Sequence, residues 1–148
     1  MVIYIDLDDT IFEYTKAYNE ALERNPRQPF PQSAYGFFAD LIPKKDAVKS
    51  YYELKEHHSV YFLTAPSIMN PMSYCEKRVS IEKWFGLDAC KNLIICHDKS
   101  LLKGDFLIDD RVASNKQYAF EGTLLEFGGE KYPDWKSIMK YFKGQKLI

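Results

Sequence analysis

Four short, unbroken apolar runs set the strongest limit on how this chain can fold: Val2–Ile5, Val60–Leu63, Leu93–Cys96 and Phe106–Ile108. Each is too short for a helix and rich in Val, Ile, Tyr or Phe. Runs without polar alternation fit strands buried on both faces, as in a parallel sheet. A weaker fifth run covers Thr123–Phe127. Parallel strands need long crossovers, and the intervening segments supply helical patterns. Glu13–Arg24 carries strong helix formers with apolar residues at helical spacing. In Lys44–His57, the residues Ala47, Val48, Tyr51 and Leu54 share one face. Pro71–Phe85 opens on Asn70-Pro71, a cap followed by proline at the first helical position, and stops near Gly86. Trp135–Phe142 comes after a proline as well. The alternation predicts βαβ units in an α/β sheet with helices on both faces.

A chain of 148 residues has room for one domain with a sizeable core and little room for a second. The segment Asn25–Ser33 (NPRQPFPQS), with three prolines, breaks the pattern between the first and second strands. Twenty basic residues against 21 acidic ones give a net charge of -1. That balance argues against a nucleic-acid polymer as the main partner, which requires a basic face. A small anionic substrate needs only a few local cations. The three cysteines, Cys75, Cys90 and Cys96, form no CxxC pair and predict neither a disulfide framework nor a zinc site. A reducing, cytoplasmic setting is expected. MVIYIDLDD is apolar for too few residues to be a signal peptide, and no run is long enough to span a membrane. His57 and His58 are expected to end a helix as solvated residues.

Ligands of open α/β sheets bind at the carboxyl ends of strands, so the residues just past each run carry the chemistry. Asp6-Leu7-Asp8-Asp9-Thr10 stands after the first, Thr64-Ala65-Pro66 after the second, His97-Asp98-Lys99 after the third and Asp109-Asp110-Arg111 after the fourth. Taken singly, these are ordinary: a DxD ends many strands as a turn or a helix cap, Thr commonly ends strands, and a lone lysine is usually on the surface. Together they bring carboxylates, a hydroxyl and a cation to one edge. Clustered carboxylates repel unless a cation is present. Their hard oxygens suit Mg²⁺, which shares its remaining positions with water and a substrate phosphate. Asp6 can then attack phosphorus and carry the phosphoryl group covalently. Asp8 can protonate the leaving oxygen and later take a proton from water. Thr64 can hold a phosphoryl oxygen, and Lys99 adds positive charge where negative charge develops.

IYIDLDDTIF resembles the first motif of the haloacid dehalogenase (HAD) superfamily, and YFLTAP resembles the second. Lys99 and the Asp109-Asp110 pair resemble the third and fourth. HDKSLLKGDFLIDDR, with Lys99 ten residues before Asp109, is similar to the corresponding stretch of the 5′(3′)-deoxyribonucleotidases. SYCEKRVSIEKWFG and PDWKSIMKYF are similar to further segments of that family.

The resemblance implies a Rossmann-like three-layer α/β/α sandwich, with a mainly parallel sheet, over residues 1–148. It implies Mg²⁺ held by Asp6, the backbone carbonyl of Asp8, and Asp109. The backbone amides of Leu7, Asp8 and Ala65 would help hold the phosphate, with Asp110 supporting the metal's waters or Lys99 and Arg111 bracing the site. The implied substrate is a phosphomonoester, in particular a (deoxy)nucleoside monophosphate, with Tyr14, Phe37 and Phe38 as candidate substrate contacts. Those three aromatics could equally pack the cap onto the core.

Two departures from the pattern stand out. Asp9 replaces a typical glycine, and the small helical cap inserted between the first two motifs spans only about residues 12–42. A short cap could admit a 3′-phosphorylated nucleic-acid end, or leave room for a second subunit of a homodimer. A non-catalytic HAD-like binding module is the alternative of another class, from which Asp6, Asp8 or Lys99 would be expected to be missing.

Overall fold

The computed structural model describes all 148 residues. Five parallel strands form one sheet: β1 (Val2–Ile5), β2 (Ser59–Thr64), β3 (Leu93–Ile95), β4 (Phe106–Asp109) and β5 (Thr123–Glu126). Their order is β3-β2-β1-β4-β5, so the first strand lies at the centre. The chain builds outward on one side, then crosses back to build the other. That reversal leaves a crevice at the carboxyl end of β1, beside β4, where such folds bind ligands. The register aligns Ile5 with Phe62 of β2 and with Ile108 of β4, so β4 runs on to Asp109 and β2 to Thr64 past the last residue of β1.

The central strands are buried as the unbroken apolar runs require. Ile3, Ile5, Val60, Phe62, Phe106 and Ile108 face one side of the sheet. They join a cluster of 24 buried residues with the helices α2 (Ala47–Lys55), α3 (Ser73–Phe85) and α4 (Trp135–Gly144). Within it, Tyr51 stacks on Phe62 with ring centres 4.7 Å apart. The other face is thinner. Tyr4, Leu63 and Leu107 pack with Phe120 in a cluster of four, beneath loops and the short 3₁₀ turns Lys99–Leu101 and Gln117–Ala119. The expected Rossmann-like parallel sheet is present, but α2, α3 and α4 pack on one face, and the helices expected on the other are replaced by loops and these turns.

Between β1 and β2 lie α1 (Tyr14–Arg24), the 3₁₀ turn Pro31–Ser33 and the loop leading to α2. This is the segment read from sequence as a small cap, and it contains a single α-helix. Helix starts differ slightly from the sequence reading. α3 begins at Ser73 rather than Pro71, because Asn70 Oδ1 accepts from Met72 N (2.9 Å) and holds Pro71 in a turn. α2 begins at Ala47 behind Asp46, whose left-handed φ of 64° keeps Lys44 and Lys45 outside the helix. α4 carries a capping box of Asp134 and Ser137. His57 is exposed, but His58 is not the solvated residue expected. Its ring lies 6.2 Å from Phe142 and both of its nitrogens are shielded. No helix is long and apolar enough to cross a membrane.

Candidate active site

Asp6 leaves β1 where the sheet opens, its amide donating to Ile108 O on β4 (2.9 Å). Asp109 ends β4 in the neighbouring position. Between them stands Lys99, from the 3₁₀ turn after β3, with Nζ 2.6 Å from Asp6 Oδ1 and 2.6 Å from Asp109 Oδ2. All three side chains are buried. Burial works against the Lys99 ammonium, but Asp6 and Asp109 outweigh it and raise its pKa. Asp109 is fixed further by Gln117 Nε2 (3.2 Å) and the amide of Arg111 (2.9 Å).

The loop after β1 is a tight turn. Leu7 O accepts from the amides of Thr10, Ile11 and Phe12, which leaves the Asp8 side chain on the rim. Asp9 takes the left-handed conformation, φ 61°, that explains the glycine usual at this position. Asp is among the residues that tolerate it, and its carboxylate accepts from the amide of Thr15 at the start of α1 (2.9 Å). Thr10 anchors the turn: its hydroxyl accepts from Asp110 N (3.1 Å) and its carbonyl from Trp135 Nε1 on α4 (3.0 Å). The late tryptophan therefore supports the loop from beneath.

Asp8 has a partner that the sequence reading did not name. Lys77 on α3 is 1% exposed, and its Nζ donates to Asp8 Oδ2 (2.6 Å), Thr64 Oγ1 (2.7 Å) and Ala65 O (2.8 Å). Its ammonium also lies 4.9 Å from the centre of the Phe38 ring. A signal did exist in the sequence. Lys77 is on one helical stripe with Ile81 and Phe85, at spacings of four, so a core-facing lysine was legible there. Burial pushes the Asp8 carboxyl up, with the charge of Lys77 acting in the opposite direction and that of Asp6 adding to the rise.

Asp6, Asp8 and Thr64 line one cleft of about 500 Å³, together with Ala65, Asp110 and Arg111. The backbone amides of Leu7, Asp8 and Ala65 donate none of the hydrogen bonds of the fold, so they stand free at the carboxyl ends of β1 and β2. Asp110 pairs with Arg111 Nε (3.2 Å), while the Lys99 ammonium donates to Asp6 and Asp109.

Of the three aromatics, Tyr14 and Phe38 line the cleft and Phe37 does not. Phe37 packs edge-on against both, at 5.6 and 5.2 Å, and lines a separate cavity of about 610 Å³ between α1 and residues 34–43. The chain turns at Gly36 (φ 93°), so that Phe38 lies on the wall of the site cleft and Phe37, the other candidate substrate contact, lies outside it. Phe38 is itself 2% exposed and stacks on Tyr14 at 6.0 Å, so it braces the cleft wall more than it presents a free face.

Carboxylate oxygens of Asp6, Asp109 and Asp110 lie within 4.8 Å of one another. Burial, then Asp6, pushes Asp109 up to about 6; burial, then Asp6 and Asp109, pushes Asp110 up to about 7. A set of hard oxygen donors that resist simultaneous ionisation fits a divalent cation, which would relieve their repulsion.

A parallel sheet that opens beside its first strand, with aspartates at two strand ends and a buried lysine between them, defines a phosphatase of the HAD type. Within that class, the family model for "5' nucleotidase, deoxy (Pyrimidine), cytosolic type C protein" matches residues 29–131, and the chain belongs to this family. A Vibrio phage KVP40 protein, provisionally named a 5′(3′)-deoxyribonucleotidase, is 32% identical over 146 residues, 97% of this chain and 85% of that protein. The human mitochondrial 5′(3′)-deoxyribonucleotidase is 30% identical over 107 residues, 70% of this chain. Only 41% of the human protein is covered, so this chain corresponds to less than half of it. A solved HAD-like hydrolase from Burkholderia xenovorans aligns at TM-score 0.49 and 14% identity, covering 93% of this chain and 86% of that one.

Proposed function

We propose that the chain hydrolyses (deoxy)nucleoside monophosphates with Mg²⁺ through an aspartyl-phosphate on Asp6. The observation that carries this reading is the Lys99 ammonium bridging Asp6 and Asp109 at 2.6 Å each, with Asp8 held across the cleft by Lys77. An aspartate fixed at a strand end, with its free oxygen on the cleft, is positioned as a nucleophile.

In the first step an Asp6 carboxylate oxygen forms a bond to phosphorus while the ester P–O bond breaks. Asp8 gives its proton to the departing alkoxide oxygen; the raised pKa of Asp8 favours holding that proton beforehand. Free amides of Leu7, Asp8 and Ala65, with Thr64 and Lys99, receive the phosphoryl oxygens as charge builds on them. In the second step water attacks phosphorus, Asp8 takes back a proton, and Asp6 leaves as carboxylate. Inorganic phosphate is released. Asp6, the Asp8 backbone carbonyl and Asp109 would hold Mg²⁺, with Asp110 behind them. The ion supplies charge neutralisation between the nucleophile and a phosphate dianion.

Residues 12–42 act in this reading as the small cap of a single domain. Tyr14 and Phe38 wall the cleft above the phosphate site. Burial and the nearby Asp8 push the Tyr14 phenol up to about 12, so it stays neutral beside a base. A reducing, cytoplasmic setting belongs to the same reading. Phosphate release from a panel of mononucleotides with and without Mg²⁺ tests the reading; no release from any of them by folded protein would overturn it.

A further inference from the structure

Gln32 lies in the 3₁₀ turn Pro31–Ser33, and its side chain lines the cleft that contains Asp6, Asp8, Tyr14 and Phe38. Its side-chain carbonyl oxygen is shielded from solvent and accepts no hydrogen bond within the chain. A shielded acceptor without a donor is rare enough in folded proteins to need a reason.

The backbone that carries Gln32 is held firmly. Pro31 is buried, and the Ser33 hydroxyl donates to Phe30 O (2.7 Å). Just beyond the turn, Asn70 Nδ2 donates to Ala34 O (3.3 Å). The buried carboxylate of Glu76 accepts from Gly36 N (2.7 Å) and Phe38 N (3.1 Å). The Gln32 amide, by contrast, is held by no bond. Its terminal torsion is soft and roughly two-fold, so it can turn toward the cleft without breaking an interaction. The aromatic wall of Tyr14 and Phe38 lines the same cleft. An amide offers an acceptor and a donor side by side, and beside an aromatic wall that is the chemistry that reads a nucleobase edge.

We propose that Gln32 is a specificity-determining residue that hydrogen-bonds the base of the bound nucleotide. Its oxygen accepts from a base N–H, and its amide nitrogen donates to the adjoining base oxygen or ring nitrogen. The inference rests on the nucleotidase reading above and goes beyond it by naming the group that senses the base.

The test compares kcat/KM on deoxyuridine 5′-monophosphate, deoxycytidine 5′-monophosphate and 2-deoxyribose 5-phosphate, which keeps the sugar and phosphate and lacks the base. Wild type should favour both nucleotides over the sugar phosphate. Gln32→Leu removes both hydrogen bonds of the amide and should reduce that preference at least about tenfold. Gln32→Glu keeps acceptors and loses the donor. It should therefore re-rank the nucleotides toward deoxycytidine, whose amino group offers a carboxylate two N–H donors, whereas the single N3–H of uracil is flanked by two carbonyl oxygens that repel it. An unchanged base preference in both variants would overturn the proposal. So would a loss in Gln32→Leu without re-ranking in Gln32→Glu, which would assign the effect to packing. Equal turnover of nucleotide and sugar phosphate by wild type would remove base reading and leave the phosphatase intact. Release from none of the three would remove the nucleotidase reading itself.

Discussion

Lys77 Nζ lies 2.6 Å from Asp8 Oδ2, and both hold fixed positions because the same ammonium also donates to Thr64 and Ala65 at the end of β2. The helix α3 therefore aims the acid–base group of the proposed reaction. Replacement by Met keeps the side-chain volume and removes all three donors. Lys77→Met should lower kcat on nucleotides by about 10²-fold, the lower end of what positioned proton transfer contributes. The loss should be smaller on p-nitrophenyl phosphate, whose leaving oxygen needs little protonation. Equal losses on both substrates would place Lys77 outside proton transfer.

Glu76, one residue earlier, ties the cap segment to α3: its carboxylate accepts from Gly36 N and Phe38 N of the cap, and from Asn70 Nδ2 in the turn before α3. Glu76→Ala leaves shielded amides without an acceptor, at a cost of roughly 1–3 kcal/mol. Urea unfolding should report that loss, and KM for nucleotides should rise as Phe38 and the Gln32 turn loosen. An unchanged KM would separate the latch from substrate binding.

Burial and the neighbouring carboxylates push Asp109 up to about 6 and Asp110 up to about 7, against an ordinary value of 3.8. A carboxyl whose folded pKa is raised stabilises the fold below its unfolded value, and that contribution is lost as pH rises through the folded one. Without divalent metal, thermal stability should therefore fall through this site between about pH 4 and pH 7, and remain low above. Asp110→Asn should flatten that slope in differential scanning fluorimetry. Added Mg²⁺ should raise the melting temperature more at pH 8 than at pH 5, because the ion competes with protons for the same oxygens. An identical slope in Asp110→Asn would refute the assignment.

The strands were legible in the sequence because burial on both faces leaves unbroken apolar runs, and position alone then picks out each strand-end residue. Asp6, Thr64, Lys99 and Asp109 were found in this way, and all are brought to one edge. Lys77 and Glu76 were not singled out, because a charged residue within a helix is usually solvated, and only the stripe shared with Ile81 and Phe85 marks Lys77 as inward-facing. Phe37 and Phe38 could not be separated from sequence, since the turn at Gly36 decides which ring reaches the cleft. The thin second layer results from the short crossovers after β3 and β4, too brief for full helices.

The most direct test of the central claim is Mg²⁺-dependent phosphate release from deoxynucleoside monophosphates by wild type and by Asp6→Asn, with folding of both verified by circular dichroism. Wild type should release phosphate only with the metal. Asp6→Asn, whose amide is a poor nucleophile, should lose at least about 10³-fold in kcat. Turnover retained by Asp6→Asn would contradict the account.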